Sequence, residues 1–461
     1  MGGSFTKKMK RSLKIAVFLT ASLSLLGLGG CAASPSPEDG PGELKAGQPM
    51  TLYVATDLHY LSPRLHDDGE AFHAYIQAGD GKLLNYIDPL SEAFAEEVTE
   101  KKPAALILSG DLTNNGEKAS HEDLAAKLKR IEASGTQVYV IPGNHDLSNP
   151  WARRFKGDSQ YKTEAITPEQ FVEIYGAYGY REALSRDTST LSYLAKSSPD
   201  LWLLMLDTSQ YDLNEFAGFP QTDGEIPPAT LEWVKKCTRL AGEEGARIVT
   251  VMHHNLVDHS TVPIQGFTLN NSKEVVQLFE QLRLNLILSG HIHIQDIRKT
   301  ESGLYDIATS AFSVYPHQYG VLQYDPSERT INYESTSVDM EAWARKRNET
   351  DVHLTGFAEY SRQFFAEHSY NKAYASLKEL SLPDADKTRM ARTMSDINLL
   401  YFAGTAASGP ERERLLASPG YRLWEKADST FLQGYVQSML QPKSPENTKL
   451  HMALQEDLEQ P

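Results

Sequence analysis

Side chains of the kind that bind metal ions occur in five short segments that lie far apart in this sequence. The segments are Asp57-Leu58-His59, Asp111, Asn144-His145-Asp146, His253-His254 and His291-Ile292-His293. In the Asp-x-His and His-x-His pairs the two side chains are two residues apart, so on an extended chain both point the same way. Each segment alone is weak evidence for a ligand, but the five together predict a metal centre.

Each segment follows an apolar run that is typical of a buried strand. The run from Leu106 to Ser109 leads through Gly110 to Asp111, and a carboxylate at the tip of a buried strand is unstable unless a cation meets it. Gly110, Gly143 and Gly290 flank the ligands and permit tight turns. Open α/β sheets place their sites at the carboxyl ends of strands, so we expect the segments to converge on one metal centre that includes Asp111.

The elements that must position these residues alternate between strand and helix. Strand patterns cover about 50–56, 106–109 and 137–141, with helical spacing over 83–100 and 121–134 between them. The later pattern predicts a helix near 170–178, strands over 191–194, 201–206, 248–252 and 284–288, helices over 231–241 and 274–282, and hairpin-like strands around 305–309, 321–324 and 331–335. This order indicates an α/β architecture with parallel pairing.

From about Asp339 the pattern changes to helix alone, with aromatic and aliphatic residues three and four apart along several faces. Such stripes are far more typical of a packed core than of a ligand site. We therefore predict a catalytic domain over 50–338, a C-terminal helical domain over 339–442 and a disordered tail over 443–461. Whether the helical domain covers the cleft or forms a homodimer stays open.

The N-terminus has the pattern of a secretory leader. Five basic residues precede the apolar run 15–28, and Gly29-Gly30 then leads to Cys31. The run is too short for a spanning helix. It resembles the bacterial lipoprotein signal, which implies a signal peptide over 1–30, lipidation of Cys31, a flexible tether over 31–49 and an extracytoplasmic protein anchored to the cell membrane. The alternative is plain secretion with an unrelated cysteine.

Charge and cysteine content exclude two further classes. The formal net charge is −16, and duplex nucleic acid is bound mainly through basic neutralisation of its phosphates, so we expect no such partner. Cys31 and Cys237 are the only cysteines, which leaves the processed chain without an internal disulfide. Cys237 lies in an amphipathic helix pattern and is interpreted as a packed thiol.

The five segments resemble the motif blocks of the calcineurin-like metallophosphoesterase superfamily, over about residues 50–337. The resemblance implies a four-layer αββα sandwich with two metal ions at the strand ends. One ion would be held by Asp57, His59, Asp111 and His293, and the second by Asp111, Asn144, His253 and His291. His253 is expected rather than His254 because it is the first histidine after the strand, although the sequence leaves the choice open.

Oxygen and imidazole ligands without thiolate suit Mn²⁺, Fe, Zn²⁺ or Co²⁺, with Mn and Fe favoured. In such a dinuclear site a metal-bound hydroxide attacks phosphorus while the cations polarise the phosphoryl oxygens. The resemblance gives His145 the task of stabilising or protonating the leaving oxygen, with Asp146 orienting it. The alternative is that His145 only supports the neighbouring ligands.

Within the family, the motif spacing, the helical extension and the lipoprotein signal look most similar to bacterial class III cyclic-nucleotide phosphodiesterases. The predicted substrate is therefore a cyclic nucleotide or a similar small phosphodiester. Residues next to the motifs that could line the cleft are Tyr60, His66, Asn114, His254 and Tyr315. The alternatives are an extracytoplasmic glycerophosphodiesterase or phosphomonoesterase, and a metal-dependent binding lipoprotein without turnover.

Overall fold

The structure is a computed structural model that describes residues 45–262, 266–406, 409–427, 430–441, 444 and 446–454. The predicted signal peptide, Cys31 and the tether up to residue 44 lie outside the described residues. Across the described ranges, no helix combines the length and the apolar character needed to cross a membrane.

Fifteen strands are present in the described part of the chain. They are β1 (Met50–Ala55), β2 (Ala105–Ser109), β3 (Gln137–Ile141), β4 (Arg153–Lys156), β5 (Ser159–Lys162), β6 (Ser185–Arg186), β7 (Tyr193–Lys196), β8 (Leu201–Leu206), β9 (Arg247–Met252), β10 (Leu286–Ser289), β11 (Asp296–Lys299), β12 (Tyr305–Ala308), β13 (Gln318–Asp325), β14 (Thr330–Ser337) and β15 (Lys449–Ala453).

The α-helices lie between these strands in the chain. They are α1 (Glu70–Ala78), α2 (Ile87–Lys101), α3 (Lys118–Ala133), α4 (Pro168–Ile174), α5 (Asn214–Ala217), α6 (Pro228–Glu243), α7 (Ser272–Leu282), α8 (Met340–Arg347), α9 (Val352–Thr355), α10 (Phe357–Ser376), α11 (Asp384–Phe402), α12 (Pro410–Leu416), α13 (Pro419–Trp424) and α14 (Thr430–Met439). Short 3-10 helices cover Pro63–Leu65 and Leu84–Tyr86, and a π-helical turn covers Gly176–Tyr180.

The strands form two mixed sheets and one small hairpin. The first sheet has the order β15-β14-β13-β1-β2-β3, and the second has the order β11-β12-β10-β9-β8-β7-β6. In the first sheet β1, β2 and β3 are parallel, and in the second β8, β9, β10 and β12 are parallel. The helices α2, α3, α6 and α7 connect these parallel strands, so the carboxyl ends of the connected strands meet at one edge of each sheet.

The side chains of β8 show how the layers are packed. Leu201, Leu203 and Met205 belong to the core that the two sheets share, whereas the alternate residues Trp202 and Leu204 pack with α6 and α7. All five are at most 2% exposed, and each such side chain contributes about 1.5–3 kcal/mol of burial free energy. Since both faces are covered, the strand is a continuous apolar run rather than an alternating one.

The predicted αββα sandwich is therefore confirmed. On the first sheet, Leu90 and Phe94 of α2 and Leu124 of α3 complete the shared core. On the second sheet, Trp233 of α6 and Phe279 of α7 form the outer apolar layer. Parallel pairing of the predicted strands follows from the helical connections between them.

The C-terminal region is helical, as predicted, from α8 to α14. Its core surrounds Trp424, which is fully buried and donates an Nε1 hydrogen bond of 2.8 Å to the carbonyl of Met390. A second apolar cluster joins this region to the loop after β12, because Phe365 of α10 and Leu399 of α11 pack on Val314. The helices thus contact a loop that leads back to the strand ends.

Two predictions differ from the structure. The tail predicted to be disordered from residue 443 contains β15, which pairs antiparallel with β14 and buries Met452. An open sheet edge accepts a short polar strand through backbone hydrogen bonds alone, so no apolar pattern announces it. The segment Tyr305–Ala308 is not part of a hairpin with the strands that follow, because it pairs parallel with β10 in the second sheet.

We predict that Cys237 is unreactive in the folded protein. Cys237 is 1% exposed, and burial raises the pKa of its thiol to about 12. In a Cys31→Ser variant at pH 8, alkylation of the native thiol should be at least about a thousandfold slower than that of the unfolded chain, because the thiolate is the nucleophile. Iodoacetamide labelling followed by intact-mass spectrometry measures both rates, and equal rates would contradict the packing described here.

Candidate active site

The ligand-type residues lie immediately after the carboxyl ends of β1, β2, β3, β9 and β10, as the sequence predicted. An extended backbone was the expected reason why the paired side chains, Asp57 with His59 and His291 with His293, point the same way. That reason is wrong, because the chain is not extended there. Positive φ angles occur at Asp57 (52°), His59 (44°), Asp111 (49°), His291 (67°) and His293 (65°). This left-handed conformation is strained for side chains other than glycine and is found mainly at functional sites. The strained turns, rather than strand pleating, direct the alternate side chains inward.

The first group of ligand atoms surrounds one oxygen of Asp57. The Oδ2 atom accepts hydrogen bonds from Thr56 Oγ1 (2.8 Å) and from the backbone nitrogen of His291 (2.9 Å). The Oδ1 atom has no hydrogen-bond partner among the described residues, and it lies 3.3 Å from His293 Nε2 and 3.8 Å from His59 Nε2. The two imidazole nitrogens are 3.3 Å apart. Three ligand atoms therefore converge on one point.

Asp111 connects this group to a second one. Its Oδ1 atom accepts a hydrogen bond of 2.8 Å from the backbone nitrogen of His145. Its Oδ2 atom lies 3.7 Å from His59 Nε2 and 3.4 Å from His253 Nε2. The side chain is almost completely buried. One carboxylate oxygen is thus held by the backbone, and the other is shared between two clusters of imidazole nitrogens.

The second group includes two ring nitrogens whose partner nitrogens are held by backbone carbonyls. His253 Nδ1 donates to the carbonyl of Ser109 (3.0 Å), and His291 Nε2 donates to the carbonyl of Gly266 (2.9 Å). The remaining nitrogens, His253 Nε2 and His291 Nδ1, are therefore lone-pair acceptors in the neutral rings, yet they lie 3.2 Å apart. Asn144 Oδ1 is 3.2 Å from the same His253 nitrogen. Carbonyl partners of this kind orient metal-binding histidines.

These distances fit two bound cations. Ligand bonds of about 2.0–2.2 Å in tetrahedral or octahedral geometry separate neighbouring ligand atoms by about 2.8–3.6 Å. Most of the separations given above lie within that range, and Asp57 Oδ1 is a buried carboxylate oxygen without a hydrogen bond. Three overlapping groups of this kind share His59 or Asp111. The donor atoms present are oxygen and imidazole nitrogen, as the sequence predicted.

The electrostatics of the cluster also favour added positive charge. Burial alone would raise the pKa of the Asp111 carboxyl, but the imidazoles of His253, His145 and His59 hold that pKa well below its usual value. Burial works against charge on His253, yet the carboxylates of Asp111 and Asp57 raise the pKa of His253 to about 9. The carboxylates therefore stabilise a cation at this point, whether a proton or a metal ion.

Two glycines are required because ligand side chains occupy the space beside them. A Cβ atom on Gly143 would lie 2.3 Å from Asp111 Oδ1. A Cβ atom on Gly110 would lie 2.5 Å from His253 Nδ1, and the φ angle of Gly110 is +97°. Backbone and ligand approach each other too closely for any larger residue. Tight turns, which the sequence suggested as the reason, explain only Gly110.

His145 lies at the edge of the cluster and is partly exposed. Its ring centre is 5.0 Å from that of His59 in an edge-on arrangement. Its Nδ1–H donates to the carbonyl of Asn114 (2.8 Å) and lies 3.1 Å from Asn115 Oδ1. This leaves Nε2 as the nitrogen available to a substrate. Burial lowers the pKa of His145 to about 4, with Asp111 opposing the shift.

Asp146 does not orient His145, contrary to the sequence-based expectation. Its carboxylate accepts hydrogen bonds from the backbone nitrogens of Gly143 (2.8 Å), Leu112 (3.0 Å) and Thr113 (2.9 Å). It is fully buried. Asp146 therefore ties the turn after β3 to the turn after β2, which fixes the separation of the ligands on the two turns. Adjacency in sequence suggested a pair that the turn geometry separates.

Three of the five side chains that were predicted to line the cleft, those of Tyr60, Asn114 and His254, are buried and contact other groups of the protein. Tyr60 donates a hydrogen bond of 2.6 Å to Asp88. Asn114 donates to Tyr75 (3.1 Å). His254 has both nitrogens engaged, with its ring 4.4 Å from that of His291. His254 therefore buttresses a ligand, and the choice between His253 and His254 is resolved in favour of His253.

His145 is held in place by residues that were not predicted from the sequence. Asn115 Nδ2 donates to Tyr75 Oη (3.0 Å), which turns Asn115 Oδ1 towards His145. Glu117 accepts from the backbone nitrogen of Asn115 (3.0 Å), and burial raises the pKa of Glu117 to about 7. The sequence indicated these residues only through the polar run that follows Asp111. Such a run is also typical of an ordinary turn.

Two family models match the chain. Residues 50–295 match the model described as calcineurin-like phosphoesterase. Residues 339–445 match the model described as the C-terminal domain of cyclic nucleotide phosphodiesterase. The first match includes every ligand-type residue described above, and the second covers the helical region from α8 to α14.

Individual proteins are similar at low identity. A relative named a probable cyclic nucleotide phosphodiesterase, from Synechococcus sp., is 25% identical over 253 residues, which is 54% of this chain and 76% of that protein. A dimetal phosphatase from Danio rerio is 12% identical with a TM-score of 0.43, covering 62% of this chain and 95% of that one. The anchor protein GAP50 of the Plasmodium inner membrane complex is 10% identical with a TM-score of 0.34, over 63% and 85% of the two chains.

The family match and the site geometry agree. The calcineurin-like phosphoesterase model spans more than half of the chain, and the segments that it contains are those that converge at the strand ends. This chain therefore belongs to the calcineurin-like phosphoesterase family, whose members are hydrolases that use divalent metal ions.

Proposed function

We propose that this protein is a dinuclear metal-dependent phosphodiesterase that hydrolyses cyclic nucleotides or similar small phosphodiesters. The observation that carries the proposal is the sharing of Asp111 Oδ2 between two clusters of ligand atoms. The helical region supports the choice of substrate, because it matches the C-terminal domain of cyclic nucleotide phosphodiesterase. The Synechococcus relative, named for the same activity, supports it as well.

The metal ligands follow from the convergent atoms. Asp57, His59, Asp111 and His293 would hold the first ion, and Asp111, Asn144, His253 and His291 would hold the second. When bound, the ions polarise phosphoryl oxygens and make water a stronger acid, which supplies the nucleophile for attack on phosphorus. The oxygen and nitrogen donors support Mn or Fe as the native metals.

His145 is placed to handle the proton of the leaving group. In diester hydrolysis an oxygen of water bonds to phosphorus, the ester bond breaks, and the departing alkoxide needs a proton. The Nδ1–H bond to Asn114 fixes the ring so that Nε2 is free for this task. Burial lowers the pKa of His145 to about 4, and an anionic phosphodiester bound beside the ring raises the affinity of Nε2 for a proton.

The proposed location is extracytoplasmic, with a lipid on Cys31 holding the protein at the cell membrane. The support comes from the sequence of the leader alone: basic residues, an apolar run and small residues before Cys31. These residues lie outside the described part of the chain.

The proposed activity predicts a substrate order. After removal of metal and reloading with Mn²⁺, kcat/KM for 3′,5′-cyclic nucleotides should exceed that for glycerophosphodiesters and p-nitrophenyl phosphate by at least about tenfold, since each 1.4 kcal/mol of differential transition-state binding gives that factor. Initial rates across this panel measure it. Faster monoester turnover would make the protein a phosphomonoesterase, and no turnover of any ester would make it a binding protein.

The bridging role predicts the effect of Asp111→Asn. The amide keeps the shape but removes the shared charge, so metal content should fall from two ions per chain to one or none. Loss of metal chemistry worth several kcal/mol corresponds to at least about a thousandfold lower kcat/KM. Elemental analysis after gel filtration measures the metal content. The exposed Asp158→Asn variant is the matched control, and retention of two tightly bound ions by Asp111→Asn would contradict the bridge.

The role of His145 predicts a dependence on the leaving group. His145→Gln should keep both ions and lower kcat for a cyclic nucleotide by about 10²- to 10⁴-fold, as expected when general acid catalysis is lost. The same change should matter much less for bis(p-nitrophenyl) phosphate, because p-nitrophenolate leaves without a proton. Equal losses on both substrates would assign His145 a purely structural role.

A further inference from the structure

Lys82 lies beside the site but belongs to neither group of metal ligands. Its backbone forms an antiparallel bridge with Val314. The next residue, Leu83, donates a backbone hydrogen bond of 2.9 Å to Ser313, and Ser313 donates from its backbone nitrogen (3.2 Å) and its Oγ (2.9 Å) to the carbonyl of Asp57. Backbone and side-chain hydrogen bonds of Ser313 therefore connect the segment of Lys82 and Leu83 to Asp57, a ligand of the first metal group.

Lys82 is partly buried, and its ammonium group makes no hydrogen bond or ion pair with any described residue. The charged groups that face it are Asp80, Asp111, Asp57 and, from α10, Lys372. Burial lowers the pKa of Lys82 despite the three carboxylates. A cation taken partly out of water without a direct partner reduces stability, so its presence requires another explanation.

Lys82 is held next to the first metal group. Its bridge to Val314 and the hydrogen bonds from Leu83 through Ser313 place it beside the turn that carries Asp57. The carboxylates of Asp57 and Asp111 are among the charged groups that face its ammonium group. The lysine therefore adds positive charge on the side of the site where the first metal group lies.

Helix α10 holds the segment that carries Lys82. Phe365 packs against Gly81, where a Cβ atom would lie 2.9 Å from the ring and where φ is +83°. His368 Nε2 donates to the carbonyl of Ile76 (3.2 Å), and Lys372 forms an ion pair with Asp80. The helical region thus fixes the backbone from α1 to Lys82 against the catalytic sheets.

We propose that Lys82 is a substrate-binding residue whose ammonium group binds a non-bridging oxygen of the scissile phosphate. The inference rests on the proposed phosphoesterase function and adds a contact that the metal-ligand motifs do not contain. Lysine suits this position because it acts as a compact point charge on phosphate. The bound phosphate supplies the partner that the ammonium group otherwise lacks.

The experiment compares Lys82→Met with Lys82→Arg and with the exposed Lys129→Gln as a matched control. Metal content is measured first, and isothermal titration of the Mn²⁺-loaded protein then gives its affinity for inorganic phosphate. Lys82→Met should keep two ions and bind phosphate about ten- to a hundredfold more weakly, as loss of a charge-assisted hydrogen bond predicts. Lys82→Arg should recover part of the affinity, and Lys129→Gln should match the parent protein.

Two outcomes would overturn the proposal. Unchanged phosphate affinity in Lys82→Met with two ions bound would show that the lysine does not contact the phosphate. Loss of metal from Lys82→Met would show that its charge instead organises the ligands. Both readouts are independent of diester turnover, so a wrong substrate assignment leaves them interpretable. If the diesterase proposal alone fails, phosphate still binds and still depends on Lys82.

Discussion

The site depends on a carboxylate that is buried at the end of β2. One oxygen of Asp111 accepts a hydrogen bond from a backbone N–H. The other oxygen faces His59 of the first ligand group and His253 of the second. A buried carboxylate is stable only when opposite charge and hydrogen bonds compensate for the lost water. That requirement explains the surrounding geometry: ligands arrive from both sheets, glycine backbones leave room for them, and Asp146 ties the turns after β2 and β3 together.

The helical region contacts the segments that lead into this site, among them the loop after β12 and the segment that carries Lys82. Its residues Phe365 and Leu399 pack on Val314, in the loop whose Ser313 bonds to the carbonyl of Asp57. Helix α10 also holds the segment that ends at Lys82. Packed cores transmit displacements because they contain little free volume. The helices therefore stabilise one wall of the site. The sequence of the region does not reveal this role, because aromatic residues at helical spacing are typical of any packed core.

Much of the fold and of the ligand set could be predicted from the sequence, because each ligand follows an apolar strand and strand ends of parallel sheets converge. The rest depends on tertiary placement. The hydrogen bond of His145 to Asn114 joins two different turns, and Asp146, although adjacent, points to backbone nitrogens. Tyr60 and His254 lie next to ligands in sequence, yet both face inward. Strand β15 forms at an open sheet edge, where no side-chain pattern is required.

The central claim is that one aspartate oxygen joins two metal ions at the strand ends. Anomalous diffraction from crystals of the Mn²⁺-loaded protein tests it directly. Two anomalous peaks are expected about 3.5–4 Å apart, both in contact with Asp111 Oδ2. A single peak, or a second peak held by residues other than Asn144, His253 and His291, would contradict it.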